Sequence, residues 1–377
     1  MDFIRKENIQ ALQQWMAGAT RPVVISHSHP DGDALGATAA LALYLRSLGK
    51  NVACVYPDSP AGNIRFILPE SVPCLFQDKD GEAAVQRIRE ADLLFLVDAN
   101  AFSRTEGLQD AAAASTAPKV LMDHHLNPDT QNFGLVFSTP NISSASEVVF
   151  WVLIELMEEG AVAHTSGHPR PDKREGPEAV LAEHAHGRGR EATVGATAPS
   201  SIWDSLMAGM TTDTNNFANS VFPSTFRMAS DLLAAGVDRD ALLQKLYNSY
   251  RENRVRLMGY MQSEQLHILP NGTAYMILTK DIQQRFDIQE GESEGLVNVP
   301  LAVKKVKLSV LLKEDNGHFR VSVRSKKGTS AQQLAQQYFH GGGHENAAGG
   351  KLFLGEDIPS PEAAPAFVEQ VLKAFLP

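Results

Sequence analysis

The chain has 377 residues, 43% hydrophobic and 21% charged, with a formal net charge of -10. That length suits about two domains, each able to bury its own core. The negative balance disfavours a non-specific grip on long nucleic acid, which depends on many Lys and Arg contacts to phosphate, but is compatible with a short nucleotide in a locally basic pocket.

The first sixteen residues mix both signs of charge with apolar residues at helical spacing and lack the continuous apolar core of a signal peptide. Residues 22–26 read as a strand, and residues 34–48 as a helix with a face of Leu35, Leu41, Leu45 and Leu48. Its apolar stretch, residues 37–45, is far too short to span a bilayer. A strand at 51–56, a helix at 82–90 and an apolar strand at 93–97 that ends at Asp98 follow. Val120, Leu121 and Met122 form the next strand, which ends in Asp123, His124 and His125. Strands alternating with helices predict an α/β fold, a parallel sheet flanked by helices on both faces. Cys54 and Cys74 sit inside apolar segments, so they suggest neither a disulfide framework nor a thiolate zinc site, and they suit a reducing cytoplasm.

Residues 143–158 have the spacing of an apolar-striped helix. From 164 to 200 the chain has almost no large apolar residue, cannot offset its ordering entropy, and is expected to be a mobile surface insertion. Its histidines, His164, His168, His184 and His186, lack periodic spacing and carboxylate partners and read as solvated. A helix at 202–210 leads to Asp213, and helices at 224–235 and 240–265 follow, the last expected to link domains. Strands at 274–279, 306–312 and 319–324 and a helix at 331–339 predict a smaller α+β domain. The expected division is a catalytic domain at 1–238, a helical linker at 239–267 and a substrate-binding domain at 268–377. No internal repeat is apparent.

The decisive stretch is His27-Ser28-His29-Pro30-Asp31-Gly32-Asp33, between the first strand and its helix. Asp31 and Asp33 are two residues apart in a tight turn, so both carboxylates can converge on one point, with the helix N-terminus offsetting their repulsion. The alternative is that Asp33 merely caps the helix and Asp31 decorates the turn; convergence on a cation is favoured. In a parallel sheet the ends of the strands at Ile25, Val97 and Met122 share one edge, which gathers His27, Asp31, Asp33, Asp98 and His124, and Asp213 can reach them from the loop after its helix. Four carboxylates packed together repel unless cations compensate them. Two divalent metal ions answer that need, and the mix of imidazole and oxygen ligands favours manganese (Mn2+) over cobalt, zinc or magnesium.

These residues resemble the DHH phosphoesterase superfamily, which includes RecJ-type exonucleases, manganese-dependent pyrophosphatases and oligoribonuclease/phosphoadenosine phosphate phosphatases. All four of its motifs are matched in order: residues 27–36, the strand ending at Asp98, Asp123-His124-His125, and Asp213. The resemblance implies that His27, Asp31 and Asp98 hold one metal, that Asp33, Asp98, His124 and Asp213 hold the other, and that His125 faces substrate phosphate. Asp98, His125 and Asp123 are then the candidate catalytic group, with Asp123 orienting a neighbour.

Residues 341–350 are rich in glycine, which permits close backbone approach and exposes amide donors to an anion, with His344 as a further donor. Arg324 and Ser325 end a strand, where a guanidinium can bind phosphate bidentately. Lys326 and Lys327 read as solvated, whereas Lys304, Lys305 and Lys307 suit either an exposed sheet face or a basic wall. The glycine run resembles the DHHA1 signature, and residues 294–298 resemble a stretch of the oligoribonuclease branch. By that resemblance Arg324, Ser325, His344, Gly342, Gly343 and Asn298 are the candidate substrate-binding residues.

The implied reaction is two-metal hydrolysis of a phosphoester by water, without a side-chain nucleophile. The expected substrates are very short RNA, cut to 5′-mononucleotides, and adenosine 3′,5′-bisphosphate, which loses its 3′-phosphate. The alternatives are cleavage of cyclic-di-AMP or a linear dinucleotide and, in another class, a non-catalytic nucleotide-binding sensor. Short RNA or a nucleotide is the expected partner in the cytoplasm, with no long DNA, membrane or obligate protein partner.

Overall fold

The computed structural model describes residues 3–164, 201–289 and 291–376. The predicted insertion at 164–200 therefore lies outside the described residues, apart from the backbone of His164. The chain divides into two compact units, Met1–Ser249 and Tyr250–Pro377.

In the first unit, the helices α1 (Lys6–Gly18), α2 (Gly32–Ser47), α3 (Gln77–Asp80), α4 (Glu82–Arg89), α5 (Gln109–Ala114) and α6 (Ala145–His164) accompany six strands. The strands are β1 (Pro22–Ile25), β2 (Ala53–Tyr56), β3 (Cys74–Phe76), β4 (Leu93–Val97), β5 (Lys119–Asp123) and β6 (Leu135–Ser138). Helices α7 (Ile202–Asp213), α8 (Pro223–Ala234) and α9 (Arg239–Tyr247) complete the unit. All neighbouring strands run parallel in the order β3-β2-β1-β4-β5-β6. The strand order reverses beside β1, so β1 and β4 diverge into crossovers on opposite sides and leave a crevice at their carboxyl ends.

Alternation along these apolar runs explains the two covered faces. Val24, Phe95 and Val120 join a core with Leu12 of α1, Leu41 of α2, Val149 of α6 and Leu206 of α7. Their chain neighbours Val23, Leu94 and Leu121 point the other way, toward Ala84 and Ile88 of α4 and Ala112 of α5. Each such fully buried aliphatic side chain contributes about 1.5–3 kcal/mol. The edge strands β3 and β6 are short, only partly buried and unpredicted.

The long linker helix expected at 240–265 is two helices, α9 and α10 (Glu252–Glu264), separated at residues 248–251. Each half packs in its own unit, with Leu242 and Leu246 in the first and Leu257 and Met261 in the second. The break satisfies two cores that a continuous helix could not serve with one apolar stripe.

The second unit holds β7 (His267–Ile268), β8 (Thr273–Leu278), α11 (Lys280–Arg285), β9 (Leu308–Glu314), β10 (His318–Ser325), α12 (Ala331–Tyr338), β11 (Gly342–His344), β12 (Ala347–Phe353) and α13 (Ala364–Phe375). Its sheet has the order β11-β12-β10-β9-β8-β7, antiparallel except between β8 and β9. This is the smaller α+β unit the sequence predicts, with the glycine run folded as the β11–β12 hairpin. Among the described residues, no helix is long and apolar enough to cross a membrane.

Candidate metal centre

Every carboxyl end near the β1/β4 crevice carries a ligand-type side chain. His27 leaves β1 two residues beyond Ile25, Asp98 follows β4 directly, Asp123 is the last residue of β5, and His124 comes next. Asp98 has a φ of 57°, a left-handed conformation that costs a non-glycine residue about 1–3 kcal/mol and is held here by its N–H donating to Met122 O at 3.0 Å. Strain of that kind aims a side chain that a relaxed strand end would direct elsewhere.

The turn before α2 divides its two carboxylates differently from the simple capping alternative. Asp31 is the N-cap: its Oδ1 accepts from the N–H groups of Asp33 and Ala34, at 3.0 and 3.1 Å. Asp33 is buried in the first turn, where its two oxygens accept from Ala145 N at 2.6 Å and Ser146 N at 2.9 Å, the start of α6. Two positive helix ends thus meet one carboxylate. Glu147 fixes that start of α6, accepting from Ser143 N at 3.0 Å and from Thr225 Oγ1 at 2.8 Å.

Asp213 is the last residue of α7, not part of the following loop. It reaches the site because α7 packs at glycine distance against both α2 and α6: a Cβ on Gly36 of α2 would sit 2.5 Å from Ser205 O, and one on Gly209 of α7 2.0 Å from Ser146 Oγ of α6. A carboxylate at a helix C-terminus opposes the macrodipole, and no basic residue occupies the last turn of α7. The chain itself does not stabilise the charge that it places there.

Ligand atoms fall into three groups, each with members within 4.8 Å of one another: His27, Asp31 and Asp98; Asp33, His124 and Asp213; and Asp98, His124 and His125. His27 Nε2 lies 3.3 Å from Asp98 Oδ2, while its Nδ1 lies 2.8 Å from Ser28 O. A carbonyl only accepts, so Nδ1 carries the proton and Nε2 is the nitrogen available as a ligand in the neutral ring. His124 Nε2 stands 3.4 Å from Asp98 Oδ1, 3.7 Å from Asp213 Oδ2 and 4.0 Å from Asp33 Oδ2. Asp123, fully buried, accepts from the His125 backbone N at 3.1 Å and pairs with its Nδ1 at 2.7 Å.

The electrostatics are those of a site short of positive charge. Burial, then the charges of Asp98 and Asp213, pushes Asp33 well above the usual carboxylate range. Burial likewise lifts Asp213 to about 7. Burial would raise Asp98 too, but His124 and His27 outweigh it and leave its carboxyl well below the usual range. Those two imidazoles would be depressed by burial, yet their contacts with Asp98 carry His27 to about 9 and His124 to about 10. Four clustered carboxylates of this kind call for compensating positive charge. Asp98 Oδ1 is buried with no partner at hydrogen-bonding geometry, which in a native interior calls for an explanation. Imidazole nitrogens and carboxylate oxygens, without thiolate, suit divalent ions of the manganese, magnesium or zinc type, so the residues present fit divalent metals.

Sequence reasoning missed Arg104, in the 3-10 segment Phe102–Leu108. Its carbonyl accepts from Ser28 N at 2.8 Å, and its positive charge opposes protonation of His27. The half-buried guanidinium has no hydrogen bond or ion pair among the described residues. The available signal was its place as the one charged residue in the segment 99–105 after Asp98. A serine nucleophile finds no support beside it, since Ser26 Oγ is buried without a hydrogen-bonding base.

The remaining candidates belong to the second unit. Arg324, half-buried, lies opposite Ala347 and Ser309, and its Nη1 donates to Val323 O at 3.0 Å and Ala348 O at 3.4 Å. Ser325 is committed to its own turn, donating to Thr329 O at 2.6 Å and accepting from Asn346 Nδ2 at 2.9 Å. Gly343 has a φ of 142°, and a Cβ there would sit 2.6 Å from Ala347 O, whereas one on Gly342 meets nothing within 4 Å. Gly343 thus answers to the hairpin's own packing, and Gly342 leaves an open approach. His344 ends β11 opposite Ala347, but its side chain lies outside the described residues. Asn298 is exposed on the 3-10 segment Leu296–Ala302. Lys326, expected to be solvated, is half-buried and donates to Val303 O at 3.0 Å.

Residues 21–172 match the DHH family, N-terminal domain, and residues 273–375 match the DHHA1 domain. A bifunctional oligoribonuclease and PAP phosphatase NrnA of Bacillus subtilis is 25% identical over 338 residues, covering 88% of this chain and 89% of the relative. The protein of the same name in Thermus thermophilus is 25% identical over 351 residues, covering 92% and 89%. Among solved structures, an exopolyphosphatase-related protein from Bacteroides fragilis is 32% identical, superposes with a TM-score of 0.82, and spans 99% of this chain and 98% of its own.

Proposed function

This chain belongs to the DHH family and carries a DHHA1 domain, and we propose that it is a two-metal phosphoesterase that cuts short oligoribonucleotides to 5′-mononucleotides and removes the 3′-phosphate of adenosine 3′,5′-bisphosphate. The observation that carries this reading is the run of three nitrogen- and oxygen-donor groups at the β1/β4 crevice, two of which contain Asp98 while the third, Asp33, His124 and Asp213, adjoins it through His124 Nε2, 3.4 Å from Asp98 Oδ1. In this reading His27, Asp31 and Asp98 hold one divalent ion, and Asp33, His124 and Asp213 hold the other, with Asp98 shared between them. Manganese is the preferred ion because the donors mix imidazole with carboxylate. Bound there, such ions supply Lewis acidity toward phosphoryl oxygens and toward the attacking water.

The chain's own groups do the positioning. Asp123 holds His125 through both its backbone and Nδ1, so Nε2 is the atom through which His125 meets substrate phosphate. Arg104 supplies a cation beside His27 that only an anionic ligand would satisfy. On the second unit Arg324, His344, Asn298 and the open backbone at Gly342 bind the nucleotide, while Ser325 and Asn346 shape the turn behind them. Two free cysteines, Cys54 and Cys74, suit work in a reducing cytoplasm.

A manganese-supplemented panel of RNA from two-mers to long strands, adenosine 3′,5′-bisphosphate, cyclic-di-AMP, pyrophosphate and inorganic polyphosphate tests the assignment. Turnover concentrated on RNA two- to five-mers and the bisphosphate is the expected outcome. Activity confined to pyrophosphate or polyphosphate would overturn the substrate assignment, and none on any substrate would leave a nucleotide sensor.

A further inference from the structure

We propose that the second unit carries a lysine surface that binds the phosphodiester backbone of RNA longer than a dinucleotide; this rests on the oligoribonuclease reading above. The topology brings the relevant chain segments to one end of the second sheet. Arg324 and Ser325 end β10, Leu308 begins β9, and Ala347 and His344 flank the hairpin turn, all in adjacent register. At that end the loop 303–307 is stitched to the turn 326–329: Lys326 N donates to Lys307 O at 2.8 Å, and Lys326 Nζ donates to Val303 O at 3.0 Å. Lys326 thus serves as the clasp, and Lys304, Lys305, Lys307 and Lys327 are left exposed around it.

Three features separate this surface from an ordinary solvated face. None of the four exposed lysine side chains makes a hydrogen bond or ion pair among the described residues. Residues 296–313 and 318–330 contain no Asp or Glu, in a chain whose net charge is -10. The nearby Glu345 has its Oε2 engaged by Ser330 Oγ at 2.9 Å. A concentration of uncompensated positive charge in a negative protein, at the sheet end that carries Arg324, selects a polyanion. Lysines are flexible point charges and no aromatic side chain lies in residues 303–307 or 326–329, so recognition falls on successive phosphates and not on bases. A dinucleotide or a bisphosphate offers too few phosphates to engage it.

The test compares the manganese-loaded wild type with the quadruple variant Lys304→Gln, Lys305→Gln, Lys307→Gln, Lys327→Gln, which keeps Lys326 and therefore the clasp. Binding of a fluorescent, phosphorothioate-linked RNA five-mer is followed across a salt series, and KM is measured for a two-mer, a five-mer and adenosine 3′,5′-bisphosphate. The variant should weaken five-mer binding by roughly tenfold or more at low salt and flatten the log–log salt slope by up to about 3, with the two-mer and the bisphosphate changed by less than about twofold. Unchanged five-mer binding, or equal losses on two-mer and five-mer, overturns the proposal. Loss of polyphosphate binding with RNA binding intact assigns the surface to the inorganic chain and also overturns it. If wild type hydrolyses no RNA yet the salt slope still falls in the variant, the oligoribonuclease reading fails while the RNA-binding surface stands.

Discussion

The ends of the two sheets present opposite charge problems. In the first unit, four carboxylates converge at a parallel-sheet crevice, where burial and mutual repulsion leave Asp33 and Asp213 pushed up and Asp98 Oδ1 without a hydrogen bond. In the second, Arg324 and a group of lysines gather at a mostly antiparallel sheet end with no acidic residue in the strands and loops that carry them. One region lacks cations and the other lacks anions. The contrast supports the proposal of metal at the first and phosphate at the second, and each can be broken separately.

The largest expected effect is at Asp98, which belongs to two of the three donor groups and lies 3.4 Å from His124 of the third. Asp98→Ala should lower manganese-dependent kcat by about a thousandfold or more and abolish the thermal stabilisation that manganese confers; near-normal turnover in a metal-replete assay removes Asp98 from the centre. Next comes Asp123→Asn, which keeps the packing but loses the carboxylate that holds His125. Rates should fall about 10- to 100-fold with the metal content unchanged. A loss of metal equal to that of Asp98→Ala would place Asp123 among the ligands instead.

Arg324→Ala sharpens the other side of the comparison. It should raise KM for nucleotides by about tenfold, equivalent to one charged hydrogen bond, with little change in kcat or metal affinity. A fall in kcat alone would give Arg324 a role in the chemical step. The smallest effect concerns pH in the metal-free protein. His27 and His124 are raised to about 9 and about 10, so their contribution to stability is complete below pH 6.5 and is lost as pH climbs through those values. Asp213, raised to about 7, favours the protonated fold and loses its contribution earlier, as pH rises from 3.8 toward that value, and Asp33, also raised, acts in the same direction. Chelated protein should therefore melt a few degrees lower at pH 9 than at pH 6.5. Added manganese should stabilise more at the higher pH, because binding must displace those protons. A Tm that rises with pH in the chelated protein contradicts the charge picture.

Much of the first cluster was legible because its residues end apolar runs. Asp98 and Asp123 mark where five-residue buried strands stop, and a run that cannot tolerate charge announces the first residue that carries one. The sequence predicts the end of α7 three residues early because Thr211 and Thr212 read as a loop; in the structure the helix continues through Asp213, and Thr214 Oγ1 donates back to Met210 O at 2.8 Å. The division of labour between Asp31 and Asp33 was not legible, since it depends on α6 arriving from more than a hundred residues away. The same limit hid Arg104, which is placed by a backbone bond to Ser28 and not by any local pattern. In the second unit the β11–β12 hairpin escaped notice because glycines carry no side chains from which to read a strand period. The break between α9 and α10 fell in a polar stretch, residues 248–251, without Gly or Pro to mark it.

The most direct test of the central claim is the number of manganese ions bound per chain, counted by elemental analysis and compared with the rate of dinucleotide hydrolysis as the ions are added back to chelated protein. Two ions per chain, with the rate appearing only as the second is taken up, is the predicted result. Full activity with one ion, or with none, would contradict a centre built from two ligand groups around Asp98.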